Sequence, residues 1–240
     1  MIINRRDFVR GGVGALLLPS FAKAQSGGSC SVTPVGMCGP MAIKSLSVDG
    51  PRNTNNPPYN KLKGTMSFKV NNKSRQLNAY WNTGNRDRQC VELIGRYAWQ
   101  LGFYEFASKA LTKDDFGKSF PALGNGVDVA RNFARFSNGG FTYVYNGAKS
   151  LPKAGAVVSI EKAIASPYGH VGILCNHDEP SKNTTKILVK VFEQNMKTAT
   201  WSEVEFVKQK DGTWSGKFYI GGKANGGKGY AVMGWANPNG

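Results

Sequence analysis

Between Cys90 and Leu101 apolar residues recur at spacings of three and four, at Val91, Ile94, Ala98 and Leu101. That period lines one face of an α-helix, and Gly102 supplies its stop. A second stripe, Val127, Ala130, Phe133 and Ala134, marks another amphipathic helix followed by Gly139-Gly140. Between them, the helical region continues through Tyr104 to Leu111. Upstream, Met66-Ser67-Phe68-Lys69-Val70 alternates with period two, as a strand with one buried face does. After Pro152 the pattern changes. Ala156 to Ile160, His170 to Cys175 and Ile187 to Phe192 are strand-like runs. Glu203 to Val207 and Trp214 to Ile220 flank Asp211-Gly212, a hairpin turn signal, and Tyr230 to Trp235 closes the series. Helices first and antiparallel strands later predict an α+β domain rather than a βαβ series. The apolar stripes read as core.

The first residues depart from this pattern. Arg5-Arg6 precede a short apolar run from Gly11 to Leu18, and Ala22-Lys23-Ala24 fits an A-x-A cleavage site. Those are the three parts of a secretory signal, and the paired arginines point to the twin-arginine route. The run is too short to span a bilayer. Residues 1–24 are therefore expected to be a signal peptide, and the mature protein to carry no transmembrane anchor. It is expected to act in the periplasm or cell envelope, or as a secreted protein. Residues 25 to about 60 are loop-like, rich in Asn, Gly and Pro. Residues 25–80 form an N-terminal extension of unassigned role, and residues 81–240 a single catalytic-sized domain.

Charge narrows the partners. The 240-residue chain has a formal net charge of +16, about +13 by the simple count once the signal is removed. An exported basic protein favours anionic envelope polymers. A solvated basic surface accounts for the same balance. Nucleic acid is not expected, because no helix-turn-helix, zinc-finger or RNA-binding signature is present. With only His170 and His177, and no CxxC or HExxH pattern, no metal site and no cofactor are expected.

Of the four cysteines, Cys30 and Cys38 lie in a Gly/Ser/Pro-rich segment and can close a small disulfide loop in an oxidising compartment. Cys175 sits in an apolar strand, on the face opposite His170, and reads as an inert core thiol. Cys90 differs. It opens a helix after a polar loop, where the positive end of the macrodipole stabilises a thiolate. A cysteine hydrolase also needs a base that later protonates the leaving amine, and a group that orients that base. His170 begins a strand directly after Gly169, whose missing side chain allows close backbone approach. If the two strands are neighbours, Glu193 or Asn195, two apart at the end of the next strand, can reach the second ring nitrogen. Backbone N–H groups at the helix start, with Gln89 as a weaker candidate, can hold the oxyanion.

These residues, Gln89-Cys90, Ala154-Gly155-Ala156-Val157-Val158, Gly169-His170-Val171-Gly172-Ile173 and Phe192-Glu193-Gln194-Asn195, resemble the CHAP domain, the cysteine- and histidine-dependent amidohydrolase/peptidase family of the papain-like NlpC/P60 superfamily. Gly234-Trp235-Ala236-Asn237-Pro238 is similar to that family's closing strand. The resemblance runs from about Thr83 to Pro238 and departs in lacking an aromatic pair just after the cysteine and the Asp of a Gly-Asp before the histidine. It implies Cys90 as nucleophile, His170 as general base, Glu193 as its orienting acid and Asn195 as a further polar site residue. The implied fold is papain-like α+β, with the nucleophile helix packed on an antiparallel sheet. The implied substrate is peptidoglycan, cut at the N-acetylmuramoyl–L-alanine amide or at a peptide bond of the stem or cross-bridge. Two alternatives stay open: a non-catalytic wall-binding protein on a degenerate fold of this kind, and an amidase of small amides such as glutathionylspermidine.

Overall fold

The computed structural model describes residues 62–70, 72–80, 89–103, 106–107, 124–165, 167–175, 177–196 and 200–239, together with the backbone of 33–34. The stretch read as an export signal and the cysteines Cys30 and Cys38 lie outside these residues.

Among the described residues, two β assemblies hold two α-helices. The first is a three-stranded antiparallel sheet of β1 (Thr33–Pro34), β2 (Leu62–Val70) and β3 (Lys73–Tyr80). Helix α1 (Cys90–Gln100) and helix α2 (Gly126–Phe136) follow. The remaining strands are β4 (Phe141–Tyr145), β5 (Val157–Ile160), β6 (His170–Leu174), β7 (Lys186–Phe192), β8 (Glu203–Lys208), β9 (Trp214–Tyr219) and β10 (Gly229–Pro238). They run in the order β4-β10-β5-β6-β7-β8-β9, and β10 also pairs with β9. That last pairing closes β5 to β10 into a six-stranded antiparallel barrel, with β4 added outside on β10.

The expectation of a papain-like α+β domain, with the nucleophile helix packed on an antiparallel sheet, is thus overturned. The protein is mostly β, a closed barrel plus a small sheet. The reason lies in β10. Its first residues, Gly229–Ala231, pair with β9, and its later ones pair with β5 on one side and β4 on the other. A bulge between Val232 and Gly234 changes its course. At Gly234 a side chain would collide with the Tyr143 ring and the Val144 carbonyl, so glycine permits the close crossing.

The barrel is filled by Val158, Ile160, Leu174, Val191, Phe206, Phe218 and Trp235, among others. Its outer wall at β5 and β6 presents Val157, Val171 and Ile173 to a second core shared with both helices and the hairpin β2–β3. Strands buried on both faces read as continuous apolar runs, which is why β5 and β6 do not alternate. Cys175 lies in this outer core, and the ring of His170 lies 5.9 Å from that of Phe218 in the barrel. Cys175, however, is not a thiol: it is disulfide-bonded, to a residue outside those described.

Candidate active site

Cys90 is the first residue of α1 and is buried. The first turn of a helix has backbone N–H groups with no intrahelical acceptor. Here the Gln89 carbonyl, in extended conformation, takes the N–H of Glu92 at 3.0 Å and of Leu93 at 3.3 Å. The helix stripe predicted one buried face, yet Cys90 through Ala98 are all buried. Helix α1 is wedged between β6 of the barrel and β3 of the hairpin. Its charged residues, Glu92 and Arg96, are therefore buried and paired with each other. Arg96 is fully buried; its Nε donates to Glu92 Oε1 at 2.8 Å, one terminal nitrogen to the Asn78 carbonyl at 2.9 Å, and the other to Gln194 Oε1 at 2.7 Å. Gln194 in turn donates to Glu92 Oε2 and to the Gln89 carbonyl. This network bolts the end of β7 to the start of α1.

His170 opens β6, and its backbone is boxed in by glycines. A side chain on Gly126, the first residue of α2, would come within 2.8–2.9 Å of His170 backbone atoms. Gly169 has φ +70°, in the left-handed region, and a side chain there would meet the Ile160 carbonyl at 2.7 Å. Ser159 in β5 donates to the Gly126 carbonyl and accepts from the Ala130 N–H, fixing α2 against the strand. The close approach expected at Gly169 is present, and Gly126 is a partner that the sequence stripe did not single out.

Strands β6 and β7 are antiparallel neighbours, with Ile173 opposite Phe192. Glu193, just past β7, is completely buried. Its Oε2 accepts a hydrogen bond from His170 Nε2 at 2.7 Å. Nδ1 is thereby left for Cys90, whose sulfur lies near enough to raise the pKa of the imidazole. Asn195 does not join Glu193 on the histidine. Its backbone turns to φ +63°, its N–H donates to the Tyr80 carbonyl, and its side-chain amide donates to Gln89 Oε1 at 2.6 Å. Alternation predicted a shared face, but β7 ends at Phe192, so the period-two rule stops there. The Gln89 carboxamide oxygen is thus tied to Asn195.

A further group was not foreseen. Lys63 of β2 donates to Glu193 Oε1 at 2.8 Å, and both side chains are buried. No motif surrounds Lys63 in the sequence; a lysine beside Gly64 reads as a surface residue.

The electrostatics follow from these contacts. Burial pushes the His170 imidazole toward neutrality, but the charge and hydrogen bond of Cys90, with those of Glu193, overcome it and raise its pKa to about 9. Burial pushes the Glu193 carboxyl up, but the Lys63 ammonium and the His170 cation hold it down at about 2. The site thus holds a charged imidazole beside the Cys90 sulfur, backed by an ionised carboxylate.

Among the described residues no cluster of His, Cys, Asp or Glu is arranged to hold a metal ion. His177 lies apart from the site: its two ring nitrogens face the carbonyls of Pro152 and Asp178. Trp99 is exposed on α1, and Trp81 lies outside the described residues. No described helix is long and apolar enough to cross a membrane. No curated protein matches the chain. Residues 79–195, which contain Cys90, His170, Glu193 and Asn195, match the family model of the CHAP domain; the chain carries a CHAP domain, a unit of the amidohydrolase and peptidase kind related to peptidoglycan.

Proposed function

We propose that this protein is an exported cysteine hydrolase that cleaves an amide bond of peptidoglycan. The observation that carries the reading is the connected line from Cys90 at the helix start, through His170, to the buried carboxylate of Glu193 at 2.7 Å. Cys90 Sγ attacks the amide carbonyl as a thiolate. The oxyanion is held by N–H groups at the start of α1 and by the side-chain amide of Gln89, whose orientation Asn195 sets. His170 Nδ1–H protonates the leaving amine as the C–N bond breaks, leaving a thioester on Cys90. Neutral His170 then takes a proton from water, which attacks the thioester and releases the acid and the thiol. Glu193 keeps the ring aimed and stabilises its charged form throughout. The paired arginines and A-x-A site near the N-terminus support export, and the family supports a wall substrate.

The test is mass analysis of fragments released from purified sacculi. Wild-type protein is expected to release muropeptides bearing either a new amine and carboxyl pair within the peptide, or intact peptides freed from glycan; the masses name the bond. Cys90→Ala is expected to lower release at least about a thousandfold while the protein stays folded, since the nucleophile is gone. Full release by folded Cys90→Ala protein would overturn the assignment.

A further inference from the structure

The hairpin β2–β3 lies almost wholly outside the residues matched by the family model, which begin at Ala79. Its role in the molecule is open, and Lys63 supplies an answer. Along β2 the even positions Met66, Phe68 and Val70 are buried, while Thr65, Ser67 and Lys69 are part-exposed or exposed. By that alternation Lys63 belongs with the outward set. It is buried instead because the register slips there: Leu62 pairs with Tyr80 and Gly64 with Ala79, so Lys63 is the extra residue of a β-bulge. A bulge inverts the side-chain phase and re-aims one residue. The side chain aimed inward is a lysine, the costliest kind to bury unpaired.

Its surroundings are built to receive it. The ammonium lies 5.1 Å over the ring of Trp201, which is itself stacked on Phe192. In front is Glu193 Oε1 at 2.8 Å. Each carboxylate oxygen of Glu193 thus has one cationic partner, Lys63 on one and His170 on the other. The other charged groups packed nearby, Glu92 and Arg96 of α1, neutralise one another and reach this loop through Gln194.

We infer that Lys63 is a positioning residue of the active site, holding Glu193 ionised and aimed at His170, so that the N-terminal hairpin is part of the catalytic apparatus. The inference rests on the cysteine-hydrolase reading only for its consequence in turnover. Without Lys63, a fully buried carboxylate has His170 as its sole cation. It then takes up a proton at higher pH, and the imidazolium that supports the Cys90 thiolate loses its backing as pH falls.

The test compares Lys63→Met, Lys63→Arg and Glu193→Gln with their Lys63→Met/Glu193→Gln combination. The readout is the rate of Cys90 alkylation by iodoacetamide against pH, which needs no wall substrate, with muropeptide release measured in parallel. Lys63→Met is expected to move the acid limb of the alkylation profile upward by about one pH unit, tenfold in rate at a fixed acidic pH. Lys63→Arg keeps the charge and is expected to restore the wild-type limb. In the Glu193→Gln background Lys63→Met is expected to add no further shift. If Lys63→Met does not fold, the combination, which leaves no lone buried charge, still reports whether Lys63 matters when Glu193 cannot ionise. A wild-type limb in folded Lys63→Met, or an equal shift with and without Glu193, overturns the inference. Absence of muropeptide release by wild-type protein counts against the wall substrate alone, because the alkylation profile is read independently of it.

Discussion

His170 is held between two negative groups in a place where burial alone would keep it neutral. Its pKa of about 9 comes first from Cys90 among the groups that raise it, so the charge on the ring reports the charge on the sulfur. Titration of the His170 Cε1–H resonance is expected to show a midpoint near 9 in wild-type protein. In Cys90→Ala the midpoint is expected to fall by at least about one unit, the usual size of a close opposite charge. An unchanged midpoint would mean that the thiolate is not the partner. Cys90, His170 and Glu193 were each legible in the sequence because each stands at the boundary of a strongly patterned element. Asn195 was read as an alternative to Glu193 for the histidine, by extending strand alternation past the end of the strand. The chain instead leaves the strand at Phe192, and a left-handed turn at Asn195 carries that side chain to Gln89. Lys63 was illegible because a bulge is a property of pairing between strands, which one strand's pattern does not contain.

At the scale of elements, the site depends on how closely α2 approaches β6. Gly126 lets the helix start rest on the His170 backbone, and the Val127 N–H donates to the Tyr168 carbonyl beside it. Gly126→Ala puts a methyl carbon where only 2.8–2.9 Å is open to backbone atoms, and backbone cannot swing aside as a side chain can. Overpacking of this kind costs about 1–3 kcal/mol. The expected outcome is a lower unfolding midpoint in urea together with a loss of at least about tenfold in kcat, since displacement of a catalytic group by a fraction of an ångström is felt in rate. Loss of stability with kcat intact would show that His170 does not depend on this contact. The same scale explains uneven legibility. Helices α1 and α2 were predicted within about a residue or two of their bounds because the stripes are regular. Strand β3 was not predicted: Lys73 to Gln76 are exposed and Leu77 to Tyr80 buried, so its burial runs along the strand rather than across it. It passes from open surface to the flank of α1, and no period-two signal survives.

For the whole molecule, the class was misread, because three strands precede the helices and closure depends on one pairing. Strand β10 meeting β9 converts an antiparallel sheet into a barrel, and both strands lie beyond the matched residues 79–195. The barrel provides a rigid wall on which β6 and β7 present His170 and Glu193, while hairpin and helix close over them. Both acidic and basic groups of the site are therefore buried in the folded state and solvated in the unfolded one, so folding is linked to pH from both sides. Glu193 falls from 4.5 to about 2 on folding. Between those values the unfolded chain binds more protons, so this contribution is fully present above pH 4.5 and is lost as pH falls toward 2. His170 rises from 6.5 to about 9. Between those values the folded chain binds more protons, so its contribution is fully present below pH 6.5 and is lost as pH rises through 9. Urea midpoints plotted against pH are expected to form a plateau from about 4.5 to 6.5 and to decline on both sides. Glu193→Gln is expected to flatten the acid decline and Cys90→Ala the alkaline one, because each removes the charge whose loss drives that limb. Wild-type slopes in both variants would place the pH-sensitive energy elsewhere, in pairs with exposed lysines such as those of Glu205 with Lys223 and Lys186, and a rise in salt concentration would then weaken it more than it weakens a fully buried contribution.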